Sequence, residues 1–175
     1  MGREKMKVIL YMATSVNGYI TKGEDDSSWV SDIDWQEFDR LLRESGIIVM
    51  GSRTYEQFTN DFPQEGALNV VMTHNPDLLS KQVKGAIFTD KTPTDVIKMA
   101  EEKGFTQIML IGGMTLNTSF LKENLIDEIW LDVHPLLIGQ GKTLFKELDI
   151  FEELQLFESR DLGTGQMLLK YRRQK

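Results

Sequence analysis

The chain contains no cysteine, and that one absence removes disulfides, thiolate metal sites and cysteine nucleophiles together. Histidine is nearly as scarce. His74 and His134 are the only two, neither has a partner at ligand spacing, and no metal site is expected. No apolar run approaches the roughly 18 residues that cross a bilayer. The opening MGREKMKVILYMATS alternates like a strand and does not follow the plan of a signal peptide. Basic residues are outnumbered, 20 against 27 acidic, leaving a net charge of -7, whereas a nucleic-acid footprint needs a clustered basic face. The sequence shows no G-x-G-x-x-G, no internal repeat, no low-complexity tract and no linker. Together these absences point to a cytoplasmic protein with neither membrane nor nucleic-acid partner, folded as a single domain over 1–175.

What is present has the composition of an ordinary globular protein, 41% hydrophobic and 27% charged. Residues 7–13 (KVILYMA) read as a first buried strand. From SDIDWQEFDRLLRES onward the apolar spacing becomes helical, with Trp35, Phe38, Leu41 and Leu42 on one side. Asp34 with Glu37 resembles a capping box, so the helix is expected to start at Asp34 and to end at Gly46. Strands follow at 47–50, 68–73 and 86–90, with a short helix over 51–58 between the first two. Thr92, Pro93 and Asp95 open a helix that Gly104 closes. A strand over 107–113 runs into a helix over 116–122, a long strand covers 126–135, and the tail reads as a hairpin around 163–165. Strands alternating with helices, then two strands in succession, predict an α/β fold. Its central sheet would be mostly parallel, with helices on both faces and an antiparallel C-terminal hairpin.

LLIGQGKTLF (136–145) ends like a phosphate loop. That motif requires glycine at both ends of G-x-x-x-x-G-K-[ST], and with Gly141, Lys142 and Thr143 as the ending the first glycine falls on Leu136. The segment is therefore expected to be a turn after a strand.

In an open α/β sheet ligands bind beyond the carboxyl ends of the strands. Two strand-to-helix crossovers carry glycine there, VMGSRT and LIGGMT. They would offer backbone amides, Thr54, Thr115 and Arg53 to the two ends of a pyrophosphate. Thr73, His74 and Asn75 end the third strand at the same edge. They could receive a ribose 2′-phosphate, favouring NADP over NAD, or could simply form a turn with Pro76. Asp32 and Asp34 lie between Trp29 and Trp35, aromatic surface able to raise a carboxyl pKa. Such a carboxylic acid can hydrogen-bond an amino-pyrimidine edge and relay a proton; for Asp34 that role competes with helix capping.

Several segments resemble the dihydrofolate reductase-like fold, in the branch similar to the reductase domain of bacterial riboflavin biosynthesis. They are SVNGYI (15–20), WVSDID (29–34), MGSRTYE (50–56), IGG (111–113) and DEIWLDVHPLLIGQGKTLF (127–145). The resemblance implies a stand-alone NADPH-dependent reductase acting on a small pterin-like or pyrimidine substrate. It implies that Ala13 and Ile20 border the nicotinamide, and that Gly51, Arg53, Thr54 and Thr115 meet the pyrophosphate and adenosine side. Thr73 and His74 would lie near the 2′-phosphate. Gly112 with Gly113 would close over the cofactor through a cis peptide. Asp34 would be the catalytic carboxyl, with Trp29 and Asp32 beside the substrate. No Arg or Lys occurs from 61 to 71, so the glutamate tail of a folate would meet Glu65 and no cation, which points away from dihydrofolate. A non-catalytic nucleotide-binding protein and a flavin binder stand as the alternatives. The apolar alternation of 126–135 suggests a strand that pairs or packs against a second copy in a homodimer.

Overall fold

The computed structural model describes residues 6–174. The elements, in order, are β1 (Lys7–Ser15), α1 (Asp32–Ser45), β2 (Ile47–Gly51), α2 (Ser52–Gln57), β3 (Leu68–Met72) and α3 (Pro76–Leu79). They continue with β4 (Ala86–Thr89), α4 (Pro93–Glu102), β5 (Gln107–Leu110), α5 (Met114–Lys122), β6 (Glu128–His134), β7 (Leu154–Gly163) and β8 (Gln166–Arg173). One sheet holds all the strands, in the order β4-β3-β2-β5-β1-β6-β8-β7. Pairing is parallel from β4 through to β6 and antiparallel for β6 with β8 and β8 with β7. The fold is therefore the expected α/β architecture with an antiparallel C-terminal hairpin.

Period-two alternation divides the strand side chains between two cores. Val8, Leu10, Ile47, Val49, Ile108 and Leu110 meet α4 and α5 through Val96, Ala100 and Phe120. Tyr11, Ile48, Met50, Val71 and Met109 meet α1 through Phe38, Leu41 and Leu42. The β7–β8 turn places Thr164 at φ 53° and Gly165 at φ 84°, the left-handed pair that a two-residue hairpin matching the strand twist requires.

Helix starts show where local signals compete. Thr92 caps α4 as expected, its side chain accepting from the Asp95 amide at 3.2 Å. In α1 the cap is Ser31, whose hydroxyl accepts from the Asp34 amide at 3.2 Å, so the helix starts at Asp32. Asp34 sits inside the first turn and its carboxylate is released from capping. Serine and aspartate are near-equal caps, and the burial of Asp34 decides between them. After β3 the chain forms the short helix α3, which Asn75 caps by accepting from the Asp77 amide, with Pro76 opening the helix.

The strand over 126–135 does not offer an edge to a second copy, because β6 lies between β1 and β8. The free edge on that side is β7. Among the described residues no helix is long and apolar enough to cross a membrane, and no cluster of His, Cys, Asp or Glu is arranged to hold a metal.

Candidate functional site

A cavity of about 840 Å³ opens beyond the carboxyl ends of β1, β2, β3 and β5, within the range of small-molecule and cofactor sites. Two crossovers form one side. Gly51 and Gly113 stand at the N-cap positions of α2 and α5, and neither helix has a side chain bonded to its first amides. Arg53 and Thr54 from α2 and Thr115 from α5 line the cavity. The crossovers are tied together by the Gly51 amide, which donates to the Gly112 carbonyl at 2.9 Å. Gly112 has φ +90°, and a Cβ there would lie 3.0 Å from the Met12 sulfur; a Cβ on Gly113 would reach 3.7 Å from the Thr54 hydroxyl. The peptide between these glycines is cis. Bare backbone, free helix amides, hydroxyls and a guanidinium together suit an anionic nucleotide lying against the crossovers.

The cavity also takes in Ala13, Ile20, Thr73 and His74. Thr73 is buried, its hydroxyl accepting from the Asn75 amide at 3.0 Å, while His74 is exposed. Of the sequence candidates, three do not line it. Gly112 lies behind Met12. Asp32 is exposed on the first turn of α1. Trp29 turns its ring edge-on to His134, with centroids 5.1 Å apart.

A second side of the cavity is apolar. Trp35 sits edge-on to Phe38 and Phe58, with centroids 5.7 and 5.5 Å away, and Phe58 leads on to Phe62 at 6.3 Å. Asp34, from the same helix as Trp35, forms part of the lining. Only 5% of its surface is exposed, and its Oδ1 accepts from the Tyr11 hydroxyl at 2.7 Å. Burial pushes the Asp34 carboxyl up to about 8; the Tyr11 bond opposes the shift, and the nearby charges of Asp132 and Glu37 add to it. Burial first, then the Asp34 charge, also raises the Tyr11 phenol, which stays a donor. For Glu37 burial likewise opposes ionisation, but the Arg40 and Arg160 guanidiniums outweigh it and hold that carboxyl below its ordinary range. One face of the sheet thus presents, at the apolar side of an open cavity, a buried carboxyl whose ionisation is opposed by its surroundings.

Beneath Asp34 lies a polar group that sequence reading missed: Asp132, His134 and Gln166, all buried. The Gln166 amide nitrogen donates to both Asp132 oxygens, at 3.3 and 3.2 Å. The Ser31 amide approaches His134 Nε2 at 3.3 Å. A backbone N–H can only donate, so Nε2 accepts and the proton of the neutral ring rests on Nδ1. The period-two spacing of Trp130, Asp132 and His134 was the available signal; it puts two polar groups on the face of a central strand.

The G-Q-G-K segment closes the cavity's rim. The Ile20 amide donates to the Lys142 carbonyl at 2.7 Å, and the Lys142 amide to the Thr21 hydroxyl at 2.9 Å. The Lys142 ammonium pairs with Asp25, so this lysine staples two loops, and the phosphate-loop reading falls on structure as it did on spacing.

This sheet order, with its glycine crossovers and cavity at the carboxyl edge, defines a dihydrofolate reductase-like α/β domain. The chain belongs to the RibD C-terminal domain family, whose model matches residues 6–168. It is 28% identical over 169 residues to the uncharacterised protein YwjB of Bacillus subtilis (strain 168), covering 93% of this chain and 95% of that one. A solved structure named for riboflavin biosynthesis, from Shewanella sp. PV-4, is 26% identical with a TM-score of 0.75, covering 97% of this chain and all of the other. A Thermotoga maritima diaminohydroxyphosphoribosylaminopyrimidine deaminase/5-amino-6-(5-phosphoribosylamino)uracil reductase shares the fold at 13% identity and a TM-score of 0.77. This chain spans 57% of that protein.

Proposed function

We propose that the protein is an NADPH-dependent reductase of a small planar heterocycle, pterin-like or pyrimidine. The observation that carries the reading is the buried Asp34 carboxyl placed on an apolar, aromatic side of the same cavity that the two glycine crossovers line. NADPH, when bound, would supply the hydride for the carbon of the substrate's C=N or C=O bond. Arg53, Thr54 and Thr115 would hold its phosphates, and His74 with Thr73 the 2′-phosphate. Trp35, Phe38 and Phe58 exclude water and stack on the ring. Asp34 gives its proton to the nitrogen or oxygen of the reduced bond, and solvent reprotonates the carboxylate that remains. Family membership and the uracil-reductase neighbour support this class of reaction. A protein that binds the nucleotide without turnover is the competing reading.

Calorimetric titration of the purified protein with NADPH and with NADH tests the assignment. NADPH is expected to bind at least about tenfold more tightly, a difference of roughly 1.4 kcal/mol. Binding of neither cofactor would overturn the reading, and binding without oxidation of NADPH by any pterin or pyrimidine would favour the competitor.

We also propose a homodimer formed through the β7 side of the sheet. Phe151, Leu156 and Phe157 are 93%, 49% and 38% exposed there, more aromatic surface than an edge normally leaves in water. Light scattering is expected to give a mass near twice the 20.1 kDa of one chain; a single-chain mass at micromolar concentration refutes the dimer.

A further inference from the structure

We propose that the substrate of this site is an uncharged, phosphate-free heterocycle, a free base or a nucleoside-level compound, and that the site rejects its phosphate ester. The inference rests on the reductase reading of the cavity and adds where the cavity's charges lie.

The basic residues that line the cavity are Arg53, His74, Lys91, Lys142 and Lys146. The sheet order separates two of them from Asp34. Asp34 is fixed to β1 through the Tyr11 hydroxyl, whereas His74 follows β3 and Lys91 follows β4. With strands about 4.8 Å apart, the order β4-β3-β2-β5-β1 puts roughly 14 Å between β3 and β1 and roughly 19 Å between β4 and β1. Arg53 sits in the first turn of α2, beside the crossover amides. Lys146 donates its amide to the Thr118 hydroxyl of α5, and α5 packs on the sheet face opposite α1. These basic residues belong to the crossovers and to the β3–β4 end, where the phosphates of a nucleotide would lie.

Lys142 is the remaining one, and it is already matched. Its ammonium pairs with Asp25. The Asp25 carbonyl in turn accepts from the Gln57 amide at 2.6 Å, and Gln57 also donates to the Ser27 hydroxyl. Asp25 thereby ties the Lys142 segment to the last residue of α2, next to Phe58.

The wall that carries Asp34 is the aromatic cluster of Trp35, Phe38, Phe58 and Phe62, with Ser27 and Gln57 as uncharged polar groups in the lining. Among the described residues, no cation lines this side without an acidic partner. A phosphate placed there would exchange water for aromatic surface with no counter-charge, facing the Asp34 and Asp25 carboxyls. An aminopyrimidine or pterin ring suits the same wall, its faces against the aromatic side chains and its ring N–H and C=O groups toward hydroxyl, amide and carboxyl. Selectivity of this kind comes as much from penalising the charged analogue as from contacts to the favoured one. Asp25 is then a specificity-determining residue, because it neutralises Lys142.

Calorimetry on the NADP⁺-loaded protein tests the proposal with two matched pairs at equal ionic strength: neopterin against neopterin 3′-monophosphate, and uridine against uridine 5′-monophosphate. In at least one pair the parent compound is expected to bind, and its ester to bind at least about tenfold more weakly. An ester that binds as tightly as its parent would overturn the proposal, and so would a loaded protein that takes neither member of either pair. Two variants read the cause. Gln57→Arg adds a cation beside Phe58, and Asp25→Asn releases Lys142; each is expected to narrow the gap about threefold. A gap unmoved by both means that charge on this side does not decide the choice, and the proposal falls. Failure to load NADP⁺ at all is a different result, which overturns the reductase reading itself and this inference with it.

Discussion

Asp34→Asn is expected to lower the rate of NADPH oxidation by a factor on the order of 10²–10⁴, the usual contribution of a positioned acid, while raising the stability of the protein. Asparagine mimics the protonated acid: its carbonyl accepts from Tyr11, but it has no proton to give. The stability gain has a definite pH dependence. The folded carboxyl sits near 8, above the ordinary value of about 3.9, so the native state holds a proton that the unfolded chain releases. The contribution of Asp34 is fully present below about pH 4 and is lost as the pH rises through about 8. Thermal unfolding should therefore show the variant gaining on the wild type between pH 5 and 9, by at least about 4 °C at the alkaline end for a chain of this size. Glu37, with its carboxyl held low, changes state below that window and does not blur the comparison. A melting difference independent of pH would mean that Asp34 is ionised in the fold, and the proton-donor role would go with it.

Gly141→Ala is expected to cost about 3 kcal/mol, near the top of the usual range for overpacking. The added Cβ would lie 1.8 Å from the Thr21 carbonyl oxygen and 2.8 Å from its carbon. Backbone cannot yield as a flexible side chain does, and the two loops are held at this spacing by the Lys142 bonds to Ile20 and Thr21. Ile20 and Thr21 line the cavity, so the displacement should also weaken NADPH binding. Gly139→Ala is the matched control. Nothing stands within 4 Å of its Cβ, and a loss under about 0.5 kcal/mol is expected. Urea unfolding of the pair measures the difference; equal losses would show that the loops do not approach so closely.

Local chemistry made much of this fold legible from the chain alone. Thr92-Pro93 and Asp95 at one helix, Gly46 after another, and Gly163 to Gly165 in the hairpin act within a few residues of themselves. The tertiary environment had little occasion to override them. The glycine crossovers were legible for the same reason. Asp34 was singled out, but its capping role was misread, because the choice between Ser31 and Asp34 depends on Tyr11 and Asp132, which arrive from strands far away in sequence. Asp132, His134 and Gln166 stayed hidden because each is unremarkable in its own segment; they become a site only when β6 and β8 pair with Asp132 opposite Leu168. That β6 has no open edge was not legible, because alternation in a strand reports its two faces and says nothing about its neighbours.

The position of β1 in the sheet sets the order in which the molecule can assemble. Its two partners, β5 and β6, start 100 or more residues further along the chain. A chain emerging from the ribosome therefore carries a strongly apolar strand, β1, with nothing to pair it until the 91 residues that separate it from β5 have been made. Closing so long a loop before the sheet can be completed makes for slow folding, and the waiting strand is a hazard for association with other chains. A chaperone that binds short apolar segments would find its target in β1, long before there is a cavity to protect.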